Sequence, residues 1–366
     1  MKFKVQRDAL LVPLLIVGNV VERRQTTPIL ANVLLRVKGN QLTLTGTDSE
    51  VQIIASAKVE SIEDGDITLP ARKLIDLCKS LPDGAQLDIT IDKEKAIIRS
   101  GRSRFTLATM PAMEFPEIDS ITFKSQFELP QQNLKILIEQ TQFAMAQQDV
   151  RYYLNGLMFD VTEGSVTTVA TDGHRLACCT HTTKTNVSAP QQVIIPRKGI
   201  QELLRLLEPS KDLVAINISQ NHLQVKLKEV TFTTKLIDAK FPDYQQVIPK
   251  NANNEMRVTR VALLQAFTRV AILSNEKFRG MRFHLAKQLL KVSVHNPEQE
   301  EAEEEIEVNY SAAEFEIGFN ISYFLDVLSI IKTEEVGIYF TDANSSCLLK
   351  GIGDDQCRYV IMPMRL

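Results

Sequence analysis

One pattern occurs three times in this chain, first as NVLLRVKGNQLTLTGTD at residues 32–48. It returns as GLMFDVTEGSVTTVATD at residues 156–172 and as GMRFHLAKQLLKVSVHN at residues 280–296. The spacing is 124 residues both times, because 172 − 48 and 296 − 172 are equal. Four columns are apolar in all three copies: Val33, Leu157 and Met281; Leu35, Phe159 and Phe283; Val37, Val161 and Leu285; Leu42, Val166 and Leu290. Self-similarity at a fixed period indicates a repeat architecture.

Each copy lies between two helical patterns. Apolar residues recur at helical spacing over residues 8–20, 131–146 and 259–273, and again after Pro70, Pro196 and Asn320. The copies themselves predict pairs of strands, over residues 31–37 and 41–46 in the first. The sequence therefore predicts an α+β chain of three repeated domains, at residues 1–125, 126–248 and 249–366. Each would hold two helices and an antiparallel sheet.

Composition excludes several classes of protein. The chain has 366 residues with 44% apolar side chains, which is enough for several cores and excludes a disordered or fibrous chain. Its 42 Lys and Arg against 45 Asp and Glu leave a net charge of −3. A small basic protein that coats nucleic acid is therefore excluded, although local basic surfaces are compatible with this balance.

The cysteines and the N-terminus both indicate a cytoplasmic protein. Five cysteines, an odd number without a C-x-x-C motif, predict free and mostly buried thiols rather than a disulfide framework or a zinc ribbon. The apolar stretch 9–21 follows Lys2, Lys4 and Arg7, as in a signal peptide. Because Asp8 precedes it and Pro13 interrupts it, we expect a packed first helix instead.

Motifs for enzymatic chemistry are absent from the sequence. It contains no G-x-x-x-x-G-K-[ST], H-E-x-x-H or G-x-S-x-G, so we predict no catalytic residue, no cofactor and no metal site. The most enzyme-like segment is Thr171-Asp172-Gly173-His174-Arg175. It has three interpretations: a catalytic Asp and His, a structural turn, or the rim of a partner-binding site.

Four further segments have two interpretations each. Arg151-Tyr152-Tyr153-Leu154-Asn155-Gly156 is typical of base stacking and also of a half-buried strand. The run at residues 298–307 has seven Glu in ten positions, which predicts a solvated face or a docking surface for basic residues. The apolar C-terminus at residues 359–366 predicts a last strand or a partner-binding groove. Arg23-Arg24-Gln25 is a basic loop, and such charge is most often simply solvated.

Taken together, these blocks resemble the bacterial DNA polymerase III beta subunit family, the sliding clamps. The resemblance runs end to end through residues 27–30, 44–48, 99–105, 148–156, 170–176, 240–244, 272–280, 296–304 and 362–366. It implies the DNA clamp fold and a head-to-tail ring of two chains with helices lining a central channel. The threefold repeat fits such a ring, because three units in each of two chains make six.

The resemblance also implies a function without chemistry. The ring would encircle duplex DNA without regard to its sequence, slide along it, and tether the polymerase as a processivity factor. Implied partners are the DNA polymerase III alpha subunit, the clamp loader delta subunit and other proteins with a clamp-binding motif. Two rival readings from other classes are a monomeric interaction scaffold and an enzyme centred on Asp172 and His174.

A peptide-binding cleft between the second and third domains follows from the family. Its residues would be Leu154, Thr171, Gly173, His174, Arg175, Leu176, Pro242, Val247, Ser346, Val360, Met362, Pro363, Met364 and Arg365. Apolar anchors with a few polar groups suit a peptide site. Gln245-Gln246 departs from the family, whose best-known members have two arginines there, so the rim is expected to be less basic.

The DNA surface and the ring interface follow in the same way. The family implies DNA contacts at Arg24, Gln148, Tyr152 and Tyr153, and basic residues on the second helices add Arg72, Lys73, Lys79, Arg197, Lys198 and Arg205. The interface would join Lys73, Leu74, Phe105 and Leu107 to Ile272 and Leu273 of the partner, and set Arg102 and Arg104 against Glu298, Glu300, Glu301 and Glu304. We expect the apolar contacts to dominate it.

Overall fold

Six helices recur in pairs along the computed structural model, which describes residues 1–21, 27–118, 121–185, 187 and 189–365. The helices in this part of the chain are α1 Arg7–Gly18, α2 Ala71–Ser80, α3 Gln131–Glu139, α4 Arg197–Leu206, α5 Arg260–Ala271 and α6 Ile321–Ile330. All six were predicted. Helix α3 ends at Glu139 rather than at residue 146, because the chain turns back there and the Ala146 N–H donates to the Leu154 carbonyl.

The strands repeat in the same order. The first third of the chain has β1 Lys2–Gln6, β2 Asn32–Lys38, β3 Gln41–Thr47, β4 Val51–Lys58, β5 Glu60–Glu63, β6 Gly65–Pro70, β7 Gln86–Asp92, β8 Lys95–Ser100 and β9 Ser103–Ala108. The second third has β10 Ser125–Pro130, β11 Gly156–Thr162, β12 Ser165–Thr171, β13 Arg175–Thr182, β14 Gln191–Pro196, β15 Leu213–Ile218, β16 His222–Lys226 and β17 Val230–Lys235. The last third has β18 Asn254–Thr259, β19 Gly280–Ala286, β20 Leu289–His295, β21 Glu301–Glu307, β22 Phe315–Asn320, β23 Glu335–Phe340, β24 Cys347–Gly351 and β25 Cys357–Ile361.

This order confirms the threefold repeat. Strands β2, β11 and β19 begin at residues 32, 156 and 280, which are 124 residues apart, and β3, β12 and β20 after them keep the same spacing. The residues of the apolar columns are buried: Val33, Leu157, Met281 and Phe283 have no exposed surface. Alternate residues of a strand face one side of its sheet, and the apolar columns mark the side that packs on the helices. The domain limits at residues 125 and 248 remain predictions.

Two compact units divide the chain differently from the repeats. One unit comprises residues 1–132 and 198–236, and the other comprises residues 133–197 and 237–366. The first contains a five-stranded sheet, β5-β1-β7-β8-β9, and an eight-stranded sheet, β10-β15-β16-β17-β4-β3-β2-β6. The second contains an eight-stranded sheet, β14-β11-β12-β13-β25-β24-β23-β18, and a four-stranded sheet, β21-β20-β19-β22. All pairings between neighbouring strands are antiparallel.

Each eight-stranded sheet joins strands from two successive repeats. In the first, β4 pairs with β17 and Ile53 lies opposite Phe232. In the second, β13 pairs with β25 and Ala177 lies opposite Tyr359. We call these two pairings the first and second junctions. Strands β9 and β21 are left at the ends of their sheets.

One prediction about the cysteines is wrong. Cys179 and Cys357 form a disulfide across the second junction, where they lie directly opposite each other. The odd count and the missing C-x-x-C could not reveal this, because the two residues are 178 positions apart and meet only through strand register. Cys78, Cys178 and Cys347 are free and buried, as predicted.

The apolar stretch at the N-terminus forms helix α1, as predicted. Leu10, Leu14 and Val17 lie one turn apart and are fully buried. Among the residues that the structure describes, we find no helix with the length and apolar character to cross a membrane.

Candidate partner-binding cleft and nucleic-acid interface

The enzyme-like segment at residues 171–175 is a closed turn between β12 and β13. The Asp172 carboxylate accepts the backbone N–H groups of His174 at 2.9 Å and Arg175 at 3.0 Å. The Thr171 hydroxyl accepts the Gly173 N–H at 3.1 Å and donates to the Arg175 carbonyl at 2.6 Å. Because Asp172 binds backbone and not the imidazole of His174, the geometry is that of a turn and not of a catalytic pair.

Glycine is required at position 173 of this turn. Its φ is +89°, and a Cβ there would lie 2.8 Å from Nη2 of Arg151. Arg151 is itself held by Asp149 at 2.9 Å and by the Asp172 carbonyl at 3.2 Å. These contacts with Arg151 lower the pKa of Asp149 to about 2. The turn therefore presents a rigid backbone edge to its surroundings.

Arg175 anchors the turn to the rest of its unit. Its guanidinium pairs with Asp172 at 3.1 Å and Asp326 at 2.5 Å and donates to the Phe143 carbonyl at 2.8 Å. It also stacks on the ring of Tyr323 at 4.5 Å. With these partners, Arg175 supports the predicted cleft from beneath rather than reaching into it.

An apolar layer lies beside this turn. Leu154, Leu176 and Val360, three of the predicted cleft residues, belong to one buried cluster, and Leu176 and Val360 lie directly opposite each other across the second junction. Val247 is half buried and packs on the same cluster. Burying each such side chain stabilises the fold by about 2 kcal/mol. The structure brings these four residues together.

The C-terminal segment borders the layer and then leaves it. The Met362 N–H donates to the His174 carbonyl at 2.9 Å, which fixes the end of β25 against the turn. Met364 and Arg365 line a separate hollow of about 430 Å³ with Phe278 and His295, and Pro363 lines a neighbouring one. Pro242 is exposed next to Phe241 of the cluster, and Ser346 precedes β24.

Tyr244 and Tyr339, at the buried cluster, are absent from the predicted site residues, whereas Tyr153 was predicted to stack on bases or to lie in a half-buried strand. Tyr153, Tyr244 and Tyr339 all contact this cluster, and the Tyr244 hydroxyl donates to Asp160 at 3.3 Å. Burial raises the pKa of Tyr244 to about 12, so the phenol stays protonated. Tyr244 could have been found from its place two residues after Pro242, since this segment ends the second repeat; Tyr339 had no such signal.

Some of the predicted DNA-contact residues are exposed, and others contact residues of the same chain. Tyr152 is 57% exposed, Gln148 is exposed with φ of +57°, and Tyr153 instead packs on the cleft cluster. Arg24 lies outside the described residues. Lys73 and Lys79 of α2 are exposed, and Arg72 pairs only with Asp76 of its own helix at 3.2 Å.

The basic residues of helix α4 bind other residues of the same chain. Lys198 pairs with Asp48 at 2.5 Å, and Arg205 pairs with Glu202 at 2.6 Å. Arg197 donates to the Met145 carbonyl at 3.1 Å. Glu202 is buried with one carboxylate oxygen unbonded, and this burial raises its pKa. Arg197, Lys198 and Arg205 therefore have structural partners as well as any role toward DNA.

The predicted interface residues lie at the two end strands. Phe105 and Leu107 of β9 are half exposed, and Ile272 after α5 is 75% exposed. Leu74 is fully buried inside its own unit, and Lys73, Arg102 and Arg104 are exposed. Large apolar side chains left open beside an unpaired strand edge are typical of an interaction surface.

The acidic run forms β21 and the turn before it. Glu304 lies on the helix side of the strand, where it pairs with Arg269 of α5, and Leu273 follows that helix half buried. The contact with Arg269 lowers the pKa of Glu304. Glu303 pairs with Lys291 at 2.7 Å, while Glu298, Glu300 and Glu301 are exposed. Both interpretations of the run, a solvated face and a docking surface, are compatible with this placement.

No group of three or more His, Cys, Asp or Glu side chains within the described ranges could hold a metal ion.

Known proteins match the chain over its whole length. Three family models of the DNA polymerase III beta subunit match the chain in order. They are the N-terminal domain over residues 1–119, the central domain over residues 128–243 and the C-terminal domain over residues 245–365. The beta sliding clamp of Pseudomonas putida is 52% identical over all of both chains, and that of Escherichia coli K12 is 47% identical. A crystal structure of the DNA polymerase sliding clamp from Pseudomonas aeruginosa has 50% identity and a TM-score of 0.98, again over all of both chains.

Proposed function

The chain belongs to the DNA polymerase III beta subunit family, and from this premise we propose that two copies pair head to tail and close a ring around duplex DNA. Membership makes it a sliding clamp, the non-catalytic processivity factor of DNA replication. One observation supports the ring above all others: the chain has two complete junctions and, at the ends of its sheets, two strands that could make a third.

The two complete junctions predict the register of the third. Ile53 lies opposite Phe232 in the first, and Ala177 lies opposite Tyr359 in the second. In the strand pairing of its own repeat, Ala302 of β21 takes the position of Ile53 and Ala177. Phe105 of β9 takes the position of Phe232 and Tyr359. Phe105 would therefore lie opposite Ala302 of the partner subunit, with its ring under the joined sheet like Phe232 and Tyr359.

The same register sets charge against charge. One residue from Phe105, Arg104 lies opposite Glu303 of the partner subunit, and Arg102 lies opposite Glu305 of the partner subunit. Opposite charges directly across two strands contribute about 0.2–1 kcal/mol per pair. The apolar contact of Phe105, Leu107 and Ile272 supplies most of the affinity, because surface ion pairs are weak.

A cysteine pair tests this register. Ser103 and Glu304 of the partner subunit occupy the position that Cys179 and Cys357 occupy in the second junction. We expect the variant Ser103→Cys/Glu304→Cys to form covalent dimers on mild oxidation, visible on a non-reducing gel. In the matched control, Ser103→Cys/Glu303→Cys, the second cysteine faces the other side of the sheet and should not crosslink. Crosslinking of the control alone would contradict the register.

Enclosure accounts for processive tethering without tight DNA binding. Sliding needs weak contacts to phosphates that ignore sequence, and Lys73, Lys79 and Arg72 on α2 are exposed to make them. The ring would remain on circular DNA after loading and run off linear DNA through its ends. Equal retention on both would contradict enclosure, and a 41.2 kDa species by light scattering at micromolar concentration would favour the monomeric scaffold.

The cleft beside the turn at residues 171–175 would recruit the partners. Its apolar layer can accept apolar side chains of a short peptide. The peptides would come from the polymerase alpha subunit, the clamp loader delta subunit and repair proteins. A cytoplasmic location follows from these partners and from chromosomal DNA.

A further inference from the structure

A hollow of about 640 Å³ continues the apolar layer along the same strands. Alternate residues share one face of a strand, so Cys178 and Thr180 follow Leu176 on β13, Arg358 precedes Val360 on β25, and Lys350 follows Leu348 on β24. Cys178, Thr180, Arg358 and Lys350 line the hollow. Two residues farther along each strand, the side chains on this face of the sheet therefore change from apolar to polar and basic.

Positive charge dominates the lining of this hollow. Lys250, Lys350 and Arg358 line it, and within the described part of the chain none of them forms an ion pair. The single carboxylate in the lining, Asp160, accepts hydrogen bonds from Gln192 at 3.1 Å and Tyr244 at 3.3 Å. The lining therefore holds three cations against one carboxylate.

Two further titratable groups lie near the hollow, a neutral thiol and a carboxylate that is already paired. Burial raises the pKa of the Cys178 thiol to about 11, so it is neutral. Glu255, on the neighbouring β18, is paired with Arg257 at 2.9 Å and bonded to the Tyr339 hydroxyl at 2.6 Å. The Lys350 ammonium lies 5.2 Å from the centre of the Tyr339 ring, which orients it without neutralising it.

We propose that this basic hollow binds acidic residues that flank the docking peptide of a partner protein. The proposal rests on the proposed peptide cleft, with which the hollow shares Tyr244, Ile248 and Leu348. An extended peptide advances about 3.3 Å per residue, so two or three residues beyond an apolar core reach from one region to the other. Gln245 also lines the hollow and is uncharged, so Lys250, Lys350 and Arg358 supply its positive charge.

Peptides with matched extensions test the proposal. The probe is a fluorescein-labelled core peptide taken from the clamp-binding motif of the DNA polymerase III alpha subunit, extended at its amino or carboxyl end by three glutamates or by three glutamines. At low salt we expect the glutamate form to bind about tenfold more tightly than the glutamine form at one of the two ends. At about 0.5 M salt the difference should fall to about twofold, because exposed charges are screened.

Two charge variants locate the effect. Lys350→Gln/Arg358→Gln should bind both forms equally, whereas the control Lys287→Gln/Lys332→Gln, which removes two exposed cations elsewhere, should keep the preference. Unchanged thermal unfolding would show that both variants fold. If the core peptide binds but glutamate and glutamine extensions bind alike at both ends, the hollow is not an acidic subsite and the cleft still stands. If no form binds, the cleft fails and the proposal fails with it.

Discussion

A groove lies beside the turn at the first junction, and the proposed cleft takes the equivalent position at the second junction with a different lining. This first groove, of about 440 Å³, is lined by Thr47, Ser49, Pro116, Ile121 and Lys235 among others. Their counterparts in the second are Thr171, Gly173, Pro242, Val247 and Met362, at offsets of 124 to 127 residues. The turn is reproduced bond for bond, since the Asp48 carboxylate accepts the N–H groups of Glu50 at 2.9 Å and Val51 at 2.7 Å.

The layer beneath the groove is where the two junctions diverge. Gln52 lies opposite Thr233 in the first junction, where Leu176 lies opposite Val360 in the second. Gln52 is buried and its side-chain carbonyl accepts the Ile118 N–H at 3.1 Å. The repeat thus reproduces the turn at both places, and the two buried positions beside it are polar in the first junction and apolar in the second.

The largest expected effect comes from matched substitutions at the groove walls. Val247→Gln should weaken binding of the core peptide about 30-fold, because an apolar contact worth about 2 kcal/mol is lost. Ile121→Gln, at the same place in the first groove and equally half buried, should change the affinity less than twofold. Fluorescence anisotropy measures both. Equal losses in the two variants would show that the first groove also binds the peptide.

The polar layer of the first junction is expected to stabilise the fold through its hydrogen bond. Gln52→Leu leaves the part-buried Ile118 N–H without an acceptor and should lower the free energy of unfolding by about 1–2 kcal/mol. Thr233→Val should cost less, because its hydroxyl accepts only a long bond of 3.4 Å from Gln224. Urea unfolding compares the two. A stabilising Gln52→Leu would show that burial outweighs the bond.

Substitutions in the two turns should have smaller effects on stability, and these effects should be opposite in sign. Ser49 has φ of +77° where Gly173 has +89°. Ser49→Gly should therefore stabilise the chain by about 0.5–1 kcal/mol, because glycine tolerates this conformation. Gly173→Ala should destabilise it by about 1–2 kcal/mol, since the new Cβ also displaces Arg151. Thermal unfolding of the two variants should shift in opposite directions, and a shared direction would contradict the comparison.

The sequence predicted local structure better than it predicted the site. Columns such as Val33, Leu157 and Met281 identified buried strand faces, because a strand repeats every two residues and its apolar face must be covered. The pairing of Cys179 with Cys357 and the burial of Arg175 among Asp172, Asp326 and Phe143 could not be read in this way. The disulfide and the pair of Arg175 with Asp326 join residues more than 100 positions apart, and no local pattern encodes such contacts.

Family resemblance supplied the cleft residues, but it did not separate their roles. Leu154, Leu176 and Val360 form the buried layer, whereas Met364 and Arg365 line a different hollow. Leu74 was assigned to an interface although its side chain is fully buried. A resemblance transfers positions along the chain, and only the packing of this chain shows which side chains remain free to meet a partner.

The smallest expected effect is a pH dependence of stability, which we expect from a histidine in the first groove and not from its counterpart at the second junction. His222 of the first groove corresponds to Ser346 of the second, and burial, with the nearby Lys235 adding to it, lowers the pKa of its imidazole. The unfolded chain then binds more protons than the native chain below the ordinary histidine pKa of about 6.5. Stability should therefore fall as the pH drops from there through the lowered pKa, and level off below it.

His222→Gln should remove this one contribution, so the difference in unfolding free energy between variant and parent should shift in the variant's favour between pH 7 and pH 5. The control Ser346→Ala, at the same position of the second groove, has no titrating group to lose and should show a difference independent of pH. Because the imidazole is only partly buried, the effect is small and needs paired urea titrations at each pH. A difference that moves the other way on acidification would mean that the native chain prefers the protonated imidazole, which would place an unrecognised anion in the first groove.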